Sequence, residues 1–143
     1  RKVLGDDGRE LNALIDELAT QVVLATSQPQ MARRVEHCLY EWRALVDSVL
    51  QACRRDLEEI GAVSVDFLAY SAYVMLAALW LQAAVRADQA LAAGTGEAAF
   101  YRAKLQSADF YLRRLLPRAN AHREALLAGA DCLMAMAQSD FAF

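Results

Sequence analysis

The stretch that decides the fold is residues 29–61, PQMARRVEHCLYEWRALVDSVLQACRRDLEEIG. One face of this stretch is apolar and the opposite face is charged, which is typical of an amphipathic helix with one side in water. Pro29 suits the first helical position and Gly61 a C-terminal stop, so the sequence predicts one helix between them. The apolar residues recur at intervals of three and four over about four heptads, the spacing of one helix face: Met31, Val35, Leu39, Trp42, Val46, Val49, Cys53, Leu57 and Ile60.

The following segment, from about Ser64 to Ala93, carries almost only apolar side chains from Phe67 onward. Such a run is typical of a buried central helix or of a membrane span, because its length approaches the roughly 20 residues that a bilayer requires. The buried helix is the preferred interpretation, since Asp66 and Gln82 interrupt the ends and alanine supplies much of the apolarity. The sequence therefore predicts no membrane span.

Two further apolar stripes at helical spacing lie on either side of this pair. One covers residues 9–26, with Asp6–Asp7 placed to cap its start. The other opens at Glu97 and continues in phase past Pro117 to Leu133. A proline inside a helix removes one hydrogen bond, so we expect a long last helix kinked at Pro117.

Four or five helices with short connections predict an all-α fold, an antiparallel up-and-down helical bundle. We expect a linker stub at residues 1–8, the bundle at residues 9–137 and a short tail at residues 138–143. The stub shows neither the apolar core of a signal peptide nor an initiator methionine, which predicts a piece of a longer chain.

Composition excludes several classes of function. Hydrophobic residues make up 57% of the 143 residues, and the net charge of -3 lacks the positive surface that nucleic-acid binding requires, so no nucleic-acid partner is predicted. Three cysteines without a C-x-x-C pair indicate neither a disulfide framework nor a zinc site. They favour a reducing compartment, and we expect a cytoplasmic protein.

The search for a cofactor or metal site gives no complete motif. Residues 94–99, GTGEAA, have the spacing of a dinucleotide-binding loop, but they follow a predicted helix instead of the strand that this motif requires. A helix end followed by a helix start is the preferred interpretation. His37 and His122 lack the glutamate three residues earlier that di-iron bundles use, and both are interpreted as structural.

Nucleophiles and paired carboxylates give no site either. The carboxylate pair Glu58–Glu59 is interpreted as closing a helix, as Asp6–Asp7 opens one. The serines lie in helical patterns with no local base: Ser48, Ser64, Ser71 and Ser107. The aromatic residues are interpreted as core: Phe67, Tyr70, Tyr73, Trp80, Phe100, Tyr101, Phe110 and Tyr111. The sequence thus predicts no catalytic, cofactor-binding or metal-ligating residue in this chain.

Two stretches nevertheless resemble a known family. Residues 101–117, YRAKLQSADFYLRRLLP, and residues 128–136, AGADCLMAM, resemble the C-terminal domain of bacterial acyl-CoA dehydrogenases of the methylmercaptopropionyl-CoA dehydrogenase type. Residues 1–4, RKVL, are similar to the point where the flavin-bearing core joins that domain. The resemblance covers nearly the whole chain and consists of helix-face residues, whereas the last four residues depart from the usual ending.

The resemblance implies a function for the full-length protein. Such enzymes oxidise acyl-CoA thioesters at the α,β carbons, with a glutamate as base, FAD as hydride acceptor and an electron-transfer flavoprotein as partner. The glutamate and the FAD contacts would lie upstream of this chain, so none falls on its residues. We therefore expect a non-catalytic accessory domain that packs on the upstream dehydrogenase core or on a second subunit of a homo-oligomer. The alternative is a free-standing bundle for oligomerisation or helix docking through the seam of residues 29–61.

Overall fold

The computed structural model describes residues 2–141, apart from the side chain of Met134. Within that range all regular secondary structure is helical, which confirms the all-α prediction. A π-helical turn, Tyr111–Leu115, and a 3-10 turn, Leu116–Arg118, connect α5 to α6, and a 3-10 turn, Gln138–Phe141, follows α7. The α-helices are α1 (Lys2–Gly5), α2 (Arg9–Val23), α3 (Pro29–Arg55), α4 (Glu59–Ala93), α5 (Ala98–Phe110), α6 (Ala119–Leu127) and α7 (Asp131–Met134).

The start of α2 is capped as the sequence indicates. The Asp6 carboxylate accepts hydrogen bonds from the backbone N–H groups of Gly8 and Glu10, at 3.1 and 2.9 Å, and so pairs donors that the first helical turn leaves free. Asp7 has a different role from the predicted cap, since its carboxylate binds Arg54 of α3 at 2.8 Å. Val3 and Leu4 of α1 pack against the core, so part of the predicted stub contacts the bundle.

The boundary between α3 and α4 differs from the prediction. α3 ends at Arg55, because Asp56 is extended and its carboxylate accepts the N–H of Glu58 at 2.9 Å. This side-chain turn competes with the helical hydrogen bonds. Gly61, the predicted stop, lies inside α4. The placement of Leu57 and Ile60 in the seam was wrong, as both are exposed, whereas the seam from Val35 to Cys53 is buried.

α4 is the central helix and begins at Glu59, five residues earlier than predicted. It packs against α2, α3, α5 and α6. In the last third of the chain, residues later in the sequence contact earlier residues of α4. This segment therefore runs antiparallel to α4. The contacts that show this are Tyr111 with Tyr73, His122 with Asp66, and the backbone of Ala130 with Glu59.

The predicted interruption at Pro117 is confirmed, and it takes the form of the π turn and the 3-10 turn that precede α6. Proline has no N–H and its ring would clash with the carbonyl four residues earlier. The π turn is wider than an α-helical turn and so removes this clash. The backbone angles at its ends stay in the helical region. The predicted continuation to Leu133 was wrong: α6 ends at Leu127, Gly129 is left-handed with φ +70, and Leu133 is exposed.

The core is one continuous cluster of buried apolar side chains between α4 and its neighbours. Trp42, Val46, Tyr70, Val74 and Leu81 are at its centre, each at most 2% exposed. The tail forms a short 3-10 turn, and residues 142–143 lie outside the described range.

Candidate interaction surface

The feature of α4 that the bundle leaves uncovered is a line of five exposed apolar residues, which we call the outer stripe: Val65, Leu68, Ala72, Leu76 and Leu79. Steps of three and four residues place them along one side of the helix. The exposed fractions of the four large side chains are 72, 71, 45 and 48% in chain order. Contiguous exposed apolar surface of this kind marks sites of association more often than chance.

The opposite side of α4 explains why the helix is apolar on all sides. Tyr70, Val74, Ala77 and Leu81 are at most 1% exposed and belong to the bundle core or lie against it. The prediction of a buried central helix is therefore right for this inner face and wrong for the outer stripe. α4 thus has two apolar faces, and the described chain covers one of them.

The outer stripe is free of charge along its length. Between Glu59 and Arg86 the only charged residue of α4 is Asp66, which turns toward α6 and binds His122 at 2.8 Å. Glu58 and Arg86 are exposed and lie beyond the two ends of the stripe. The surface is therefore apolar in the middle and charged at its margins, as protein interfaces commonly are.

α4 also has the length and composition of a membrane-spanning helix. Over its most apolar 18 residues the mean hydropathy is 1.7, and 28% of that window is buried within the chain. Central helices of soluble bundles can have the same length and hydropathy, and one face of α4 is packed against the amphipathic helix α3. The predicted absence of a membrane span stays a prediction.

His122 contacts a second helix, whereas His37 contacts a residue of its own helix, α3. The imidazole of His122 binds Asp66 and stacks on Tyr73, with ring centroids 5.8 Å apart. His37 is exposed and lies 3.8 Å from Glu41. The first contact connects α6 to α4, and the second connects two neighbouring turns of α3. The structural interpretation of both residues stays a prediction.

Glu41 is the centre of a second polar cluster, between α3, α4 and α6. Its carboxylate lies 3.4 Å from the Arg123 guanidinium and accepts the Tyr70 hydroxyl at 3.4 Å. Burial, with the Glu41 charge adding to it, raises the pKa of the Cys38 thiol to about 11. Burial also raises the pKa of Tyr70. A thiol held neutral in this way is a poor nucleophile. We therefore interpret the cluster as contacts that hold α3, α4 and α6 together.

The remaining sequence candidates are held in local structure. The loop GTGEAA follows α4 and begins with Gly94 in the left-handed conformation, which confirms the interpretation as a helix end and start. Within residues 2–141 no group of histidine, cysteine, aspartate and glutamate side chains has the arrangement of a metal site. The serine hydroxyls each donate to a backbone carbonyl three or four residues earlier: Ser48, Ser64, Ser71 and Ser107.

Two interpretations of side chains were wrong. Glu58–Glu59 begins α4 and does not close α3, and the Glu59 carboxylate accepts the N–H of Ala130 at 3.1 Å, which ties the end of α6 to the start of α4. Phe100 and Phe110 were assigned to the core, yet both are more than half exposed.

Comparison with known proteins assigns the chain to a family. No curated protein matches the sequence. The profile of one protein family, described as acetyl-CoA dehydrogenase C-terminal like, matches residues 10–137, which spans α2 to α7 and nearly coincides with the predicted bundle. The chain therefore belongs to the acetyl-CoA dehydrogenase C-terminal-like family.

Proposed function

We propose that this chain is the non-catalytic C-terminal helical domain of an FAD-dependent acyl-CoA dehydrogenase, and that it stabilises the assembled enzyme through the outer stripe of α4. The stripe would pack on the dehydrogenase core or on a second subunit. The observation that carries the proposal is an uncharged apolar surface on a helix whose other face is already packed. Membership in the family supports the association with a dehydrogenase core.

The chemistry of the full-length enzyme is part of the same proposal and follows the resemblance to methylmercaptopropionyl-CoA dehydrogenases. An acyl-CoA thioester would be oxidised at its α,β carbons, with FAD as acceptor and an electron-transfer flavoprotein as the next partner. A cytoplasmic location suits the three cysteines, which are all free thiols. The catalytic residues would lie outside this chain.

The chain itself does not fit a flavin cofactor. The only loop with dinucleotide-like spacing is closed by the ring of Tyr101. A Cβ at Gly96 would lie 3.1 Å from that ring. A helix, α4, precedes this loop in place of the required strand. We therefore propose that FAD binds to the dehydrogenase core.

The alternative, a free-standing bundle that docks partners through α3, loses its main support. The residues of the α3 seam from Val35 to Cys53 form part of the core. A partner could reach them only after the bundle had opened. The outer stripe of α4, by contrast, is an apolar surface that a partner can reach directly.

The test compares two variants of the full-length enzyme. Leu68→Glu places a charge on the outer stripe, and Tyr40→Glu places one at an equally exposed position of α3, where the wild-type side chain is 75% exposed. We expect Leu68→Glu to raise the concentration that the assembly needs and to lower the temperature up to which it holds together, with flavin content unchanged, and Tyr40→Glu to leave both as they are. Equal behaviour of the two variants would refute the proposal, as would tight FAD binding by the isolated chain.

A further inference from the structure

We propose that the outer stripe of α4 is a two-fold interface with a second copy of this chain, in which the two α4 helices run antiparallel and the axis passes through Ala72. The inference rests on the proposed function and names the occupant of its surface. It depends on the order of residues along the stripe, which is symmetric about its centre.

The symmetry appears when positions are counted outward from Ala72. Leu68 and Leu76 each lie four residues away, and Val65 and Leu79 each lie seven residues away. A two-fold axis brings residues at equal distances on either side into contact, so that Leu68 meets Leu76 of the second copy and Val65 meets its Leu79. Interfaces with two-fold symmetry need this self-complementary arrangement.

Small residues occupy the centre of the stripe and the positions just beyond Val65 and Leu79. Ala72 lies at the centre, and the next symmetric pair, eleven residues on either side, is Gly61 and Ala83. A methyl group on Gly61 would touch nothing within 4 Å in this chain, so the space beside it is open to a partner. The distance between packed helices depends on the size of the residues at the contact, and small ones allow a close approach.

Charges at the ends of the stripe select the antiparallel orientation. Glu58 and Arg86 each lie fourteen residues from Ala72, so the symmetry places Glu58 of one copy opposite Arg86 of the other, twice. Both side chains are exposed, and within residues 2–141 neither forms an ion pair. A parallel pair would instead bring glutamate against glutamate and arginine against arginine, which is repulsive.

The geometry and size of the contact suit a weak dimer. Eight steps of three or four residues lead from Glu58 to Arg86, an average of 3.5, the repeat of helices that pack at about +20°. The segment is about 42 Å long and about 10 Å wide, so each copy contributes on the order of 400 Å² where a typical stable interface uses about 800 Å². We expect reversible, concentration-dependent association of the isolated chain.

The first experiment reverses the two charges and measures the dimer dissociation constant by analytical ultracentrifugation. Glu58→Arg and Arg86→Glu should each weaken the dimer about tenfold, since each replaces two attractive pairs with two repulsive ones. The double variant restores both pairs and should return to within about twofold of the wild type. Additive weakening in the double variant would overturn the proposed pairing, and far-ultraviolet circular dichroism checks that each variant is folded.

The second experiment tests the axis by disulfide formation in a Cys132→Ser background, which removes the exposed thiol. Ala72→Cys should cross-link to itself under mild oxidation. Leu68→Cys should not, because its own symmetry mate lies about 12 Å away along the helices, beyond the roughly 7 Å limit between Cα atoms. A mixture of Leu68→Cys and Leu76→Cys chains should cross-link. Failure of Ala72→Cys to link, or self-linking of Leu68→Cys, would overturn the assignment.

The outcomes separate this inference from the proposed function. A chain that stays monomeric, in an enzyme that Leu68→Glu still loosens, would overturn the two-fold interface and place the stripe on the dehydrogenase core. Flotation of the isolated chain with phosphatidylcholine vesicles, abolished by Leu68→Glu, would assign the stripe to a membrane surface and overturn both. Wild-type behaviour of Leu68→Glu in the chain and in the enzyme would also overturn both.

Discussion

Replacing Gly8 with alanine should destabilise the bundle by roughly 2–5 kcal/mol. Gly8 has φ +73, a conformation that costs an L-residue about 1–2 kcal/mol. The added methyl group would also lie 2.8 Å from Val46 Cγ1 and 3.2 Å from Leu50 Cδ1, both in buried side chains of α3. Inserting a methyl group into packed side chains costs about 1–3 kcal/mol more.

A second glycine provides the matched control. Gly94 has nearly the same backbone angle, φ +64, but a methyl group there would meet nothing within 4 Å. Gly94→Ala should therefore cost only the conformational part, about 1–2 kcal/mol. Urea unfolding of both variants at 25 °C, followed by circular dichroism at 222 nm, gives the two free energies of unfolding. Equal losses would show that Val46 and Leu50 yield to the added methyl group, which contradicts close packing between α2 and α3.

Three further outcomes follow from the buried polar groups. Tyr111→Phe should lower the free energy of unfolding by about 1 kcal/mol in urea titrations, since it removes the hydrogen bond from the Tyr111 hydroxyl to the Tyr73 carbonyl at 3.0 Å. At pH 8 a thiol reagent should modify Cys132 quickly, because it is exposed, Cys38 more slowly, because it is partly buried, and Cys53 only on unfolding; three equally fast thiols would contradict the packing. Stability should fall between pH 9 and about pH 11, since the folded chain keeps Cys38 protonated up to about 11 while the unfolded chain releases this proton near 9. In urea titrations Cys38→Ala should make that fall shallower, and an unchanged slope would argue against a raised pKa.

The spacing of apolar residues was enough to predict α2, α3 and the bundle class. In α3 the seam from Val35 to Cys53 is buried as the pattern indicates, because a charged opposite face leaves only one orientation. The end of α3 was missed, since Leu57 and Ile60 keep the same spacing although the chain has turned. The local signal was Asp56, whose side chain accepts a hydrogen bond two residues later, while Gly61 misled because glycine is tolerated inside a long helix.

The phase of the outer stripe could not be predicted from the sequence. α4 has no polar face to orient it, so its apolar periodicity does not distinguish the side that meets the core from the side that meets a partner. Contacts with other helices decide this, such as the bond from Tyr70 to the Cys38 carbonyl. The symmetry about Ala72 was present in the sequence, but it becomes informative only once that side is known to be uncovered.

The π turn before Pro117 means that one stretch of the bundle contains more residues than an α-helix of the same length would hold. Contacts on both sides fix its ends, Tyr111 against Tyr73 and His122 against Asp66. Replacing the proline alone would leave the surplus residue in place, and deleting one residue alone would restore the clash of the proline ring with the preceding turn. The π turn and Pro117 therefore act together, because the turn gives the proline ring the room that a regular α-helix would deny it.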